Sequence, residues 1–281
     1  MTGQMKRQLV RPLREPRLRR SFAALFLILA SVGSGSPQPA PGETRKLDVM
    51  ISGGFTAPYL ALAPGFEDEN AVTLVTIKGP SMGDAPSAIP VRLSRGEHAD
   101  VVIVVRDALE GLVRQGRIVR GSEVDLVRSR IGLAVKAGAR KPDISTVDAL
   151  RKTLLNAKSI AYSDSASGVY VANELFKRLD LVEELSGKAR MIVATPVGRI
   201  VADGEAEVGF QQLSELLPIQ GVQVVGPIPE SVQKITVFSA GISSTAKFPV
   251  DARRLIAFLA SSAAHKAIVD AGLEPMPRAG K

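Results

Sequence analysis

The run Val101-Val102-Ile103-Val104-Val105 places five β-branched residues in succession with no polar break. A strand with one wet face alternates apolar and polar side chains, so an unbroken run fits a strand covered on both faces. Ala99 to Val105 therefore reads as a central strand of a parallel sheet flanked by helices. Shorter apolar runs at Leu47–Ile51, Leu74–Ile77, Ser159–Tyr162, Arg190–Val193, Val208–Phe210 and Val222–Val225 repeat the theme. Between them lie segments of helical period: Phe55–Glu69, Ala88–Arg95, Asp107–Gln115, Val147–Leu155, Val169–Arg178 and Arg199–Asp203. Arg128–Lys136 reads as one further strand, preceded by the irregular, polar Gly121–Val127 as a crossover between two halves. Thr236–Ile242 reads as a return strand before two closing helices, Val250–Ser261 and Ala263–Asp270. This alternation predicts an α/β fold with parallel sheets and right-handed crossovers.

Charge is informative once it is located. The chain carries +8, but residues 1–42 alone carry +6, leaving only +2 for the rest. That leader has a basic segment, an apolar run of 11 residues from Phe22 to Val32, and then small and turn-forming residues. The pattern is that of a cleaved export signal, and the run is too short to span a bilayer. The pair Arg19-Arg20 leaves both the general and the twin-arginine export route open. Cysteine is absent, which excludes disulfides, thiolate chemistry, cysteine-ligated metal and a lipidated cysteine anchor. With 4% aromatics, no Trp and little charge outside the leader, a nucleic-acid surface is not expected. A monomeric protein exported to the periplasm is.

In open α/β sheets ligands bind where the strands end. Three such ends empty into Ser/Gly-rich turns: Ser52-Gly53-Gly54, Gly79-Pro80-Ser81, and Ser163-Asp164-Ser165-Ala166-Ser167-Gly168. Turns of this kind at helix starts leave backbone N–H groups and hydroxyls free to bind an anion, although any one of them reads equally well as a plain helix cap. Lys78, Arg92 and Arg199 stand within or just after such junctions and are candidate clamps for an anion. Neither G-x-G-x-x-G after the first strand, nor a P-loop, nor G-x-S-x-G occurs, and the two histidines, His98 and His265, stand far apart. No cofactor and no metal is expected.

The order of Ser52-Gly53-Gly54, Gly79-Pro80-Ser81, Arg92 with His98-Ala99-Asp100, Asp164 through Tyr170, and Val197-Gly198 resembles the molybdate-binding family of type II periplasmic solute-binding proteins. The resemblance covers nearly all of residues 47–275. It implies two lobes, residues 43–128 with 237–281 and residues 129–236, closing on a small anion. It maps hydroxyl donors to Ser52 and Ser81 and backbone donors to Ser167 and Val197. Gln211-Gln212 stands where that family places a tyrosine donor, and the double glycine is not usual in its first loop. Both departures point away from molybdate toward a larger, carboxylate-bearing ligand. The Ser-Gly-Gly-Phe opening, the loop from Tyr162 to Gly168 and Phe210-Gln211-Gln212 are also similar to bacterial aconitate isomerases, exported relatives on the same fold. The favoured reading is a receptor that delivers its anion to the membrane component of an ABC importer. Its ligand set is Ser52, Gly53, Gly54, Lys78, Ser81, Arg92, Ser165, Ser167, Gly168, Val197, Gln211 and Gln212. The alternative is an isomerase acting on a tricarboxylate, with Asp164, His98 or Tyr162 as the base.

Overall fold

The computed structural model describes residues 45–277, and the export signal read at residues 1–42 lies outside them. Among the described residues no helix is long and apolar enough to cross a membrane. The strands are β1 (Arg45–Ile51), β2 (Val72–Lys78), β3 (Val101–Val105), β4 (Val124–Ser129), β5 (Ile131–Lys136) and β6 (Ile160–Ser163). They continue as β7 (Ala189–Ile192), β8 (Val208–Gln212), β9 (Val222–Pro227), β10 (Thr236–Ile242) and β11 (Glu274–Pro275). They form two sheets, β11-β4-β10-β3-β1-β2 and β7-β6-β8-β5-β9, one at the heart of each lobe of an α/β fold.

Burial of β3 follows its composition. Val101, Ile103 and Val105 enter one apolar cluster, with Phe55, Tyr59 and Leu255. Val102 and Val104 enter the cluster on the opposite face, with Ile89, Leu109 and Leu112. With a side-chain period of two, a strand whose every position is apolar feeds both faces. The second sheet is likewise covered on both sides, by a large cluster around Leu133, Tyr170 and Phe210 and a smaller one around Ala161, Val197 and Val201. Pairing is parallel for β2-β1-β3 and for β7-β6-β8. It is antiparallel where β10, β4, β5 and β9 join in.

The crossover differs from the sequence expectation. Arg128–Lys136 is not one strand: β4 belongs to the first sheet and β5 to the second, and the chain changes sheet at Arg130. The polar Gly121–Val127 contains the start of β4, because Asp125 finds partners there. It accepts from Ser239 Oγ at 2.6 Å and pairs with Arg106. The return crossover runs from β9 to β10. Gln233 bridges the two passages, its amide accepting from Ile131 N and donating to Ile131 O, both at 2.9 Å. Arg130 adds ion pairs to Glu274, at 2.7 Å, and to Glu230.

At the opposite end of the first sheet, Asp100 is fully buried and bonded through both oxygens. It accepts from Asp48 N at 2.9 Å, Lys247 N at 2.6 Å and Phe248 N at 3.2 Å. Asp100→Ala strands these donors, and a loss of about 2–4 kcal/mol in chemical denaturation is expected. An unchanged midpoint would contradict this role.

Candidate functional site

The strand ends that face the cleft supply its walls. β1 runs into Ser52, whose N–H donates to Ile103 O at 2.9 Å, and then directly into the helix Gly53–Asn70. Ser52 is 2% exposed, and its Oγ is the one buried side-chain oxygen or nitrogen without a hydrogen-bond partner among the described residues. A buried hydroxyl left unbonded costs about 1–3 kcal/mol, so such atoms mark functional sites. The helix begins two residues before Phe55, which places Pro58 and Pro64 inside it rather than at its start. Pro58 has no N–H to give to the carbonyl four residues back, that of Gly54. Gly54 O instead accepts from Ser214 Oγ of the second lobe at 2.7 Å.

The two glycines are explained by what lies over them. A Cβ at Gly53 would collide with Glu215 Oε1, and one at Gly54 would collide with the ring of Phe238. Glu215 belongs to a short helix, Leu213–Leu216, that continues directly from β8. Its carboxylate thus lies against the first turn of a helix of the other lobe.

On the far wall, Ser163 ends β6. Its Oγ accepts from Gly168 N at 3.2 Å and lies 3.0 Å from Ser167 Oγ. No side chain fits at Gly168, because a Cβ would strike Ser163 O. The helical segment starting at Ala166 passes through a π-helical turn at Val171–Leu175. Together Ser52, Gly53 and Gly54, then Ser165, Ala166, Ser167, Gln212 and Glu215, with Phe238, line a small space between the lobes.

Burial in this space pushes the Glu215 carboxyl up to about 7, and the nearby Asp164 charge pushes the same way. The Gln211 amide and the Gln212 N–H favour the ionised form and offset part of the rise.

The remaining predicted residues fall in several places. Ser81 is buried beside the cleft and accepts from Val105 N at 3.1 Å. Lys78 is exposed at the end of β2, paired in register with Ile51. Arg92 gives its Nε to Glu97 at 2.7 Å. Val197 is buried at the start of the helix Val197–Asp203, and the adjacent Gly198 N donates to Gln211 Oε1 at 3.4 Å. Gln212 has both side-chain atoms engaged at the crossovers. It accepts from Ser129 Oγ at 2.7 Å and donates to Thr236 Oγ1 at 2.9 Å.

Of the three base candidates, Asp164 directs Oδ2 to Ala194 N at 3.0 Å. Tyr162 packs edge-on against Phe176, with ring centroids 5.9 Å apart, beside the apolar core of the second lobe. His98 precedes β3 at the end remote from Ser52, a strand length of roughly 20 Å away. There its Nε2 lies 3.4 Å from Asp100 and 3.8 Å from Asp48. That trio has the spacing of metal ligands, but the Asp100 oxygens already accept backbone N–H groups. A larger open groove, with Arg140, Lys141 and Lys152 in its wall, flanks the helix Val147–Asn156 away from the Ser/Gly junctions.

Glu215 was missed by the sequence reading, which stopped at Gln211-Gln212 as the end of the motif. The available signal was a carboxylate in the first turn after a strand whose end had already been assigned to the cleft.

The model of the bacterial extracellular solute-binding protein family matches residues 47–274. An aconitate isomerase of a Pseudomonas species is 49% identical over 251 residues, covering 89% of this chain and 94% of that protein. The molybdate-binding protein ModA of Azotobacter vinelandii is 26% identical over 200 residues, covering 70% of this chain and 75% of that one. A solved periplasmic molybdate-binding protein from the same organism superposes with a TM-score of 0.67 at 21% identity. It covers 83% of this chain and all of that one.

The raised Glu215 carboxyl has a consequence for stability. Between its ordinary value of 4.5 and about 7 the unfolded chain has released a proton that the folded protein keeps. Folding therefore weakens as pH rises through that window and levels off above it. Glu215→Gln removes this titration. Its stability relative to wild type is expected to grow across the window, by about 3 kcal/mol at most. A pH-independent difference in thermal unfolding would contradict the assignment.

Proposed function

Since the chain belongs to the family of bacterial extracellular solute-binding proteins, we propose that it is an exported protein that encloses a tricarboxylate between its lobes and interconverts trans- and cis-aconitate. The observation that carries the anion site is the buried, unbonded Ser52 hydroxyl facing Ser165 and Ser167 across the cleft. A closed cleft of preorganised hydroxyl and N–H donors stabilises negative charge without mobile counter-charges. The choice of an isomerase rests on likeness. The resemblance to aconitate isomerase is nearly twice as strong in identity as that to the molybdate-binding protein, and it covers more of the chain. Export to the periplasm rests on the leader and on the family.

The reaction makes modest demands. Aconitate carries a methylene and a vinylic CH on either side of one carbon, each bearing a carboxylate. A proton leaves the methylene, its electron pair becomes the new double bond, and the former vinylic carbon takes a proton. Nothing is oxidised or reduced. The site must hold the carboxylates, stabilise the charge that spreads into them, and exclude bulk water. Entry of the ligand requires the lobes to part, with the two crossovers as the hinge.

The second reading is a receptor that passes its anion to an ABC importer. It is supported by the neutral donors of the Ser52 and Ser163–Gly168 junctions and by the molybdate-binding relatives. Purified protein incubated with trans-aconitate and followed by proton NMR separates the two. Appearance of the cis isomer is expected, whereas tight calorimetric binding without turnover leaves the receptor. Ser52→Ala provides a sharper check on the site. It removes an unbonded buried hydroxyl, so stability is expected to hold or rise. Affinity for aconitate is expected to fall about tenfold, the value of one lost hydrogen bond to a charged group. Unchanged affinity would remove Ser52 from the site.

A further inference from the structure

We propose that Glu215 is the group that removes and returns the proton, delivered to the ligand by closure of the lobes. This inference rests on the isomerase reading above and assigns its base.

Position comes first. Glu215 Oε1 occupies the space directly over Gly53, within the same lining as Ser52, Ser165 and Ser167. Among the cleft-lining residues it is the one with an ionisable side chain. The carboxylate of Asp164, whose charge is felt at Glu215, is tied to Ala194 N outside that lining.

The support of Glu215 is equally specific. It rides on the helix Leu213–Leu216 of the second lobe, and the neighbouring Ser214 bonds Gly54 O of the first. That carbonyl lacks the usual intrahelical donor, because Pro58 has no N–H. Parting of the lobes breaks the Ser214–Gly54 bond and withdraws Glu215 from Ser52 in one movement. The base is therefore assembled with the rest of the site only in the closed form, which keeps water from quenching the carbanion.

Chemistry fits the position. The groups facing the carboxylate are the Gln211 amide, the Gln212 N–H, the Asp164 charge and the apolar ring of Phe238. Their balance leaves a carboxyl able both to accept and to give a proton near neutrality, as a group working in both directions requires. In the step, the Glu215 carboxylate takes a proton from the aconitate methylene. The double bond shifts by one position, and the resulting carboxylic acid protonates the former vinylic carbon, restoring the carboxylate. One group on one face of the ligand suffices.

The test compares wild type with Glu215→Gln, which keeps the shape and the ability to accept from Gln212 N–H. The variant is expected to bind aconitate within about threefold of wild type by calorimetry while kcat falls about 100-fold or more. Wild type is expected to show a rising limb in kcat/KM near pH 7 that the variant's residual activity lacks. Circular dichroism and the retained binding establish that the variant is folded. Should it fail to fold, Glu215→Asp replaces it, with the same pH limb and a kcat lowered by misplacement of the carboxylate. Wild-type turnover with kcat unchanged in the variant overturns the role of Glu215 alone. An inactive wild type that still binds aconitate overturns the isomerase reading and this inference with it.

Discussion

The cleft depends on one contact, the carboxylate of Glu215 laid against Gly53 at the first turn of a helix in the other lobe. Several otherwise separate features follow from it. A Cβ at the position beneath would displace Oε1 from its place. The next glycine admits the ring of Phe238, which lines the same space as the carboxylate. Pro58, four residues beyond that glycine, leaves its carbonyl without an intrahelical donor, and Ser214 bonds to it across the lobes. The burial that results shifts Glu215 to the middle of the physiological pH range. A carboxyl poised there suits the proposed proton transfer, which needs a base beside the ligand.

The two sheets exist, in functional terms, to bring strand ends together. β1 runs into Ser52, β6 stops at Ser163, and β8 stops at a pair of glutamines that pass directly into the Glu215 helix. The parallel sheets align these ends, and the two crossovers set how the lobes meet. Gln212 stands at the junction of both roles. It lines the cleft while its amide joins Ser129 before one crossover to Thr236 after the other. Its own side-chain bonds are spent on the two crossovers. Gln233 and Arg130 brace the same passages.

The fold was largely legible because burial on two faces leaves a plain mark, as in Val101–Val105, and because Thr236–Ile242 begins and ends where its β-branched pattern does. The Ser/Gly junctions were legible for a similar reason: backbone that approaches other backbone closely needs glycine, as Gly168 does against Ser163 O. What could not be read depends on partners distant in sequence. The polar strand β4 is held by Arg106 and Ser239, the first well before it and the second far beyond it. The pairing of Arg92 with Glu97 was equally invisible in the sequence pattern. His98 and Tyr162 were plausible bases by residue type, but strand direction places the histidine at the wrong end of the sheet and packing turns the tyrosine toward the core. Glu215 escaped notice because an acid in the first turn of a helix is ordinary. It becomes unusual only when a helix of the other lobe closes over it.

Direct titration of the Glu215 side chain by carbon-13 NMR, in protein labelled at the glutamate carboxyl and assigned through Glu215→Gln, tests the central claim that the cleft holds a proton-exchanging carboxyl. The account predicts a midpoint near 7 in the ligand-free protein. Titration at the ordinary glutamate value of 4.5 would contradict it. It would mean that the carboxylate stands in water rather than between the lobes.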